Sequence, residues 1–292
     1  MKILILGSGG QLGTILARSL HQFELLCLER NDLPLENDTL LKKVFLNVLP
    51  NIVINCAAFT NVDLAEKERE TADNINHQSL RSLVKYCNKV NATLIHFSTD
   101  YVFDGGKKLP YKEKDNPNPI NVYGQTKLNG DLHILENAKK FFIFRISWLY
   151  SHSHKSFFQT MLINITKQKK FHIVNDQVGR PTSANQLSSF INYLIVNGYY
   201  KKDFGLYNFG ANGPIISWYD FAKYIFKQAY NFGYITKEPI LEKLKTYKQE
   251  ANRPKYSALS NSKIQKVFDF QIQDWRTSTK NEIKYFYKTR GY

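Results

Sequence analysis

Tyr123 and Lys127 stand four residues apart, a spacing that sets a phenol and an ammonium on one face of a helix. A phenol with an ordinary pKa near 10 becomes a serviceable proton donor to a carbonyl when a nearby cation stabilises its phenolate. The same lysine can hold a cofactor ribose. In a chain with 18 tyrosines and many lysines, about two such spacings are expected by chance, and there are two. The other, Tyr219 and Lys223, lies in the C-terminal half away from any expected strand end and reads as structural. Tyr123 and Lys127 gain weight from Ser98-Thr99-Asp100-Tyr101, which sits at the carboxyl end of an expected strand, where open α/β sheets bind ligands. Thr99 would there share a substrate oxygen with Tyr123; its alternative role is to cap a turn.

A second constellation is Gly7-Ser8-Gly9-Gly10-Gln11-Leu12-Gly13, directly after the first apolar run. Gly7, Gly10 and Gly13 let the backbone turn tightly and approach a pyrophosphate, and the helix that follows offers unpaired N–H groups and a partial positive charge. The alternative is an ordinary glycine-rich turn, but the place of this one at the start of an alternating array favours dinucleotide binding. Glu29-Arg30 follows the second expected strand. An acidic side chain there binds the adenosine ribose and an arginine holds a 2′-phosphate, so NADH and NADPH both remain open. A solvated charge pair is the bland alternative.

Short apolar runs alternate with amphipathic stretches in the first half, as in repeated βαβ units around a parallel sheet. Expected strands are 2–6, 24–28, 52–56, 93–97 and 141–146, apolar on both faces; expected helices are 11–21, 39–49, 62–88 and 122–137. Residues 108–121, rich in Pro, Asn, Lys and Asp, read as a surface loop. Beyond Ser151, helices are expected at 156–168, 184–196 and 218–230 among turn clusters. The fold expected is α/β: a Rossmann-like doubly wound parallel sheet with a smaller C-terminal substrate-binding lobe. Residues 1–150 form the dinucleotide-binding domain, and 151–292 are mainly the lobe, with some segments returning to the core sheet.

Of the 292 residues, 43% are hydrophobic and 14% aromatic, enough to fill a core and to argue against disorder. The apolar run Ile3–Leu6 stops at Gly7, too short for a leader or a membrane span, so no membrane association is expected. Cys27, Cys56 and Cys87 are odd in number, lack CxxC spacing and lie in apolar segments, which points to reduced core residues and a cytoplasmic setting. The formal charge of +15 comes from scattered lysines rather than a single stripe; it suits anionic substrates and gives no reason to expect nucleic-acid binding. No HExxH or paired-cysteine spacing is present, His152 and His154 read as solvated, and no metal is expected.

With these residues in view, the chain resembles the dTDP-4-dehydrorhamnose reductase family of the extended short-chain dehydrogenases/reductases nearly end to end. The likeness is carried by Gly7–Gly13, Asn55–Asp63, Ser98–Phe103, Asn121–Lys127, Arg145–Tyr150, Asn175–Thr182, Trp218-Tyr219-Asp220 and Arg253–Leu259. It implies a catalytic set of Thr99, Tyr123 and Lys127, with Gly10, Gln11, Leu12, Ala58, Phe59 and Thr60 on the cofactor. It also implies that Asp100 and Trp148 contact the sugar and that Arg253 grips the substrate. Hydride would pass from NADPH or NADH to C4 of a dTDP-linked 4-keto-6-deoxyhexose, giving dTDP-L-rhamnose for surface polysaccharide.

There are departures from the family pattern. Pro34-Leu35-Glu36 stands where members often carry an acidic residue near the adenine, and Asn252 where a second arginine is common. A homodimer is compatible with the resemblance; some members dimerise around Mg²⁺ held partly by a first-helix Glu, which Thr14-Ile15-Leu16 does not supply. A 4,6-dehydratase would carry Asp-Glu after the threonine, where this chain has Asp100-Tyr101. Two rivals stay open: a 4-ketoreductase making a different 6-deoxyhexose, and a non-catalytic regulatory subunit of the same fold.

Overall fold

In the computed structural model, which describes residues 1–167, 169–245 and 249–291, five strands of the N-terminal half form the body of one parallel sheet. They are β1 (Lys2–Leu6), β2 (Glu24–Leu28), β3 (Ile52–Asn55), β4 (Thr93–Thr99) and β5 (Phe141–Ile146). A sixth strand, Gly205–Phe209, returns from the C-terminal half to pair with β5, giving the order Gly205–Phe209, β5, β4, β3, β1, β2. Ile3, Leu4 and Ile5 of β1 and Ile52, Val53 and Ile54 of β3 are wholly buried, as two-sided helical cover requires. One face carries helix α1 (Gln11–Ser19) and the Ala184–Val196 helix over Ile3, Ile5, Phe142 and Phe144. The other packs helix α2 (Asp38–Val48) and the Ser79–Val90 helix over Leu4, Val53 and Leu94. A separate core in the C-terminal half gathers Phe158, Phe171, Phe221, Phe226 and Trp275.

Four expectations are corrected. Residues 62–88 are not one helix: Val62–Lys67 and Arg69–Asp73 are separated at Glu68 (φ −108°, ψ 52°), and a π turn at Asn74–Gln78 precedes Ser79–Val90. β2 is an edge strand and only partly covered, although apolar side chains line both its faces, and Cys27 is exposed rather than in the core. The expected 156–168 helix is Phe157–Asn164, capped by Ser156; its expected last residue, Gln168, lies outside the described residues. His152 is not solvated: its Nδ1 lies 2.7 Å from a carboxylate oxygen of buried Glu282, and its amide also donates to that oxygen.

Candidate active site

After β1 the chain turns beneath β2, with the Gly7 and Ser8 amides both donating to the Leu28 carbonyl (2.9 and 3.1 Å). Gly7 has φ +72°, and a Cβ there would stand 2.7 Å from the Ala57 nitrogen. A Cβ on Gly13 would stand 2.3 Å from the Gly7 carbonyl oxygen, so α1 starts this close to the turn only because position 13 has no side chain. Gly10 is the N-cap of α1 and offers no side-chain acceptor, which leaves first-turn amides available to an anion.

A groove of about 290 Å³ runs from Gly9 and Gly10 past Glu29, Arg30 and Ala58. The Glu29 carboxylate lies against Gly9, within 2.7 Å of where a Cβ would stand, while Arg30 is tied to Glu36 at 2.9 Å. The donor set fits a dinucleotide: helix amides for the diphosphate, Glu29 for ribose hydroxyls, Arg30 for a 2′-phosphate. Leu12 sends its side chain into the core, which leaves only its backbone for the groove. Gln11 accepts a hydrogen bond from Ser151 at 3.2 Å. Phe59, beside exposed Thr60, is held at both its amide and its carbonyl by Asn76 of the π turn (2.9 and 3.1 Å), and Asn76 also donates to Thr126 at 3.1 Å.

Thr99 ends β4. Its hydroxyl accepts from the Tyr101 amide at 3.1 Å, donates to Asp100 at 3.2 Å and hydrogen-bonds the Tyr123 phenol. Tyr123 lies in the first turn of the Val122–Asn137 helix, which Asn121 caps through the Gly124 amide at 2.7 Å. A Cβ at position 124 would stand 2.1 Å from the Tyr101 carbonyl oxygen, so glycine lets this helix press onto the turn that carries Asp100 and Tyr101. Tyr101 meets the Tyr123 ring edge-on at 5.8 Å, and the Arg253 guanidinium sits 5.9 Å over Tyr101 while bonding Asp63 at 2.8 Å. Thr99, Asp100, Tyr123 and Arg253, distant in sequence, thus converge. Trp148, at φ +50° just past β5, stacks on Trp218 at 3.6 Å and covers Gly179, where a Cβ would stand 2.9 Å from its indole.

Burial pushes the Tyr123 phenol above its ordinary value; the Thr99 hydrogen bond opposes this, while Asp100 and Asp131 add to it. Burial raises the Asp100 carboxyl to about 7 against hydrogen bonds from Ser257, Thr99 and Ser147. Lys127 is 1% exposed, and burial lowers its ammonium to about 8 although Asp131 favours the charge. The Lys127 Nζ donates to the Phe97 carbonyl at 2.7 Å and lies 3.0 Å from His96 Nε2.

The sequence reading missed Asn55, Asn76, His96, Asp131, Arg145 and Trp218. Asn55, His96 and Arg145 are polar residues inside otherwise apolar strands, which was the available signal. Asp131, buried 3.3 Å from Arg145, and Asn76 in its π turn have no comparable local mark. The pair Tyr219 and Lys223 stays outside: Tyr219 packs on the C-terminal core beneath Lys243. Among the described residues no group of three or more His, Cys, Asp or Glu could hold a metal ion, and no helix is long and apolar enough to cross a membrane.

A parallel sheet with a glycine turn after its first strand and a Tyr-x-x-x-Lys helix after its fourth defines a Rossmann-type oxidoreductase of the extended short-chain dehydrogenase/reductase class. Residues 1–288 match the family described as the RmlD substrate binding domain, and the chain belongs to that family. It is 35% identical to the dTDP-4-dehydrorhamnose reductase of Aggregatibacter actinomycetemcomitans, covering 96% of this chain and 97% of that one. Among solved structures, a dTDP-4-dehydrorhamnose reductase of Clostridium acetobutylicum is similar with a TM-score of 0.91 and 34% identity, over 98% of this chain and 100% of that one. That of Bacillus anthracis, in complex with NADP, gives 0.90 and 32%, over 97% and 99%.

Proposed function

We propose that this chain reduces the C4 keto group of dTDP-4-dehydro-L-rhamnose with NADPH or NADH to give dTDP-L-rhamnose, a precursor of surface polysaccharide. The convergence of Thr99, Asp100 and Tyr123 at the carboxyl end of β4 carries this reading, in a chain whose relatives of matching length bear that name. Amides around Gly7, Gly10, Gln11, Leu12 and Gly13 hold the cofactor diphosphate, Glu29 and Arg30 its adenosine end, and Ala58, Phe59 and Thr60 the rim. Bound there, the reduced nicotinamide supplies the hydride. Tyr123 gives its proton to O4 as C4 is reduced, so ketone, hydride and proton sum to the alcohol. Thr99 orients that oxygen, and the Lys127 ammonium stabilises the phenolate left behind and holds the ribose. Asp100, Trp148 and Arg253 bind the sugar nucleotide.

Residues 1–150 act as the cofactor domain and 151–292 mainly as the sugar-binding lobe. The enzyme works in the cytoplasm, where its anionic substrates are made, and pairs as a homodimer without a first-helix Mg²⁺ site. The test mixes the protein with enzymatically generated dTDP-4-dehydrorhamnose and NADPH or NADH, follows cofactor oxidation, and assigns the product by NMR. dTDP-L-rhamnose is expected. A different 6-deoxyhexose would overturn the stereochemical assignment, and no oxidation with either cofactor would overturn the enzyme reading in favour of a binding subunit.

A further inference from the structure

Behind Lys127 lies a buried chain of polar groups whose hydrogen bonds close in one protonation pattern. On β3, Asn55 Oδ1 accepts from the Ala57 amide at 3.1 Å; a backbone N–H only donates, so the carboxamide orientation is set. Asn55 Nδ2 therefore donates to His96 Nδ1, 3.1 Å away. Burial holds the imidazole well below its usual pKa, so it is neutral, and with Nδ1 accepting, its one proton is on Nε2. That Nε2–H points at Lys127 Nζ, which itself donates to the Phe97 carbonyl.

A neutral amine accepts from Nε2–H while donating to Phe97. An ammonium has three donors and no acceptor, so it would set donor against donor, either at Nζ and Nε2 or, after a tautomer change, at Asn55 and His96. Asn55 and His96 are each 1% exposed, so water does not relieve the conflict. We propose that His96, oriented by Asn55, is a positioning residue that favours the neutral amine of Lys127 over its ammonium in the cofactor-free site. The ammonium then forms at the expense of one hydrogen bond in this chain, at Lys127 and His96 or at Asn55 and His96.

Of the charged and titratable groups around Lys127, one opposes the neutral amine. Asp131 on its own helix favours the ammonium but is itself bonded to Ser98 at 2.7 Å and paired with Arg145 of β5. Tyr123 lies one turn away on the same helix, β4 contributes neutral His96, and β3 the uncharged Asn55. The consequence for turnover rests on the reductase reading; the protonation pattern does not. A phenolate partner present only as the ammonium makes the rate fall as pH rises through the Lys127 transition.

The test uses cofactor-free protein labelled with [ε-¹³C]lysine and ¹⁵N-histidine. Lys127 and His96 signals are assigned by their loss in Lys127→Arg and His96→Phe, and pH is raised from about 6 to 11. The expected result is a His96 Nε2–H tautomer and a Lys127 midpoint below those of the other lysines. Asn55→Asp keeps an acceptor for the Ala57 amide but accepts from Nδ1–H. It should switch the tautomer and raise the Lys127 midpoint by about one pH unit, a tenfold change in acidity. The added charge alone is measured by making Asn55→Asp in the His96→Phe background, where a smaller shift is expected. An Nδ1–H tautomer in the wild type, a Lys127 signal titrating with the other lysines, or equal shifts in both backgrounds would overturn the proposal. If Asn55→Asp does not fold, the wild-type tautomer decides by itself. Absence of turnover would defeat the reductase reading while leaving the tautomer result standing.

Discussion

Burial resists ionisation of the Tyr123 phenol, and the buried carboxyls Asp100 and Asp131, at 4% and 0% exposure, add to it, so the phenol rests protonated and ready to donate. Tyr123→Phe keeps the ring against Tyr101 and removes only the proton; kcat should fall about 10²- to 10⁴-fold with NADPH affinity within about twofold, read from initial rates and cofactor titration. Equal turnover would exclude Tyr123 as the acid. Asp100 carries a stability signature. Its folded pKa of about 7 lies above the usual carboxylate value of 3.8, so the native state binds more protons between those limits and loses stability as pH rises through that window. Asp100→Asn removes the effect. Denaturant midpoints should coincide with wild type near pH 4, and the variant should be more stable at pH 8 by up to about 4 kcal/mol. The Tyr-x-x-x-Lys spacing and the strand-end threonine were legible in the sequence because one helical turn and one strand terminus are local facts. The burial that tunes them was not, because it comes from packing between segments far apart in the chain, such as Ser257 against Asp100.

At the level of elements, close approach decides what the glycines do. Gly13→Ala places a methyl 2.3 Å from the Gly7 carbonyl, against backbone that cannot swing aside. The expected loss is about 1–3 kcal/mol in urea denaturation, with at least about a tenfold weaker NADPH Kd by calorimetry. Wild-type affinity in this variant would mean that the turn does not hold the diphosphate. The boundaries of β1, β2 and β5 could be read from their apolar runs, and the Val122–Asn137 helix from its spacing. The π turn at Asn74–Gln78 could not, since residues 62–88 keep a helical apolar rhythm through it. Asn76 repays that distortion with three hydrogen bonds, which join the Phe59 loop to the catalytic helix.

Across the whole molecule, the aromatic stack of Trp148 on Trp218 joins the end of β5 to the C-terminal half. Trp218→Ala should raise KM for the sugar nucleotide several-fold and leave the NADPH Kd unchanged, because the cofactor groove lies on the N-terminal half. A parallel rise in both constants would show that the tryptophan pair holds the lobes together rather than the sugar.

The amino-acid order by itself settled the class of fold and the glycine turn and pointed to Tyr123 as the candidate proton donor, since each depends on residues within a few positions of one another. Tertiary structure alone decided that Gly205–Phe209 completes the sheet, that Arg253 reaches Tyr101, that His152 is bound to Glu282, and that Asn55 and His96 stand behind Lys127. Those are contacts between segments tens to hundreds of residues apart. Their pairing is set by which faces are left to bury once the local elements have formed, a quantity that no window of sequence contains.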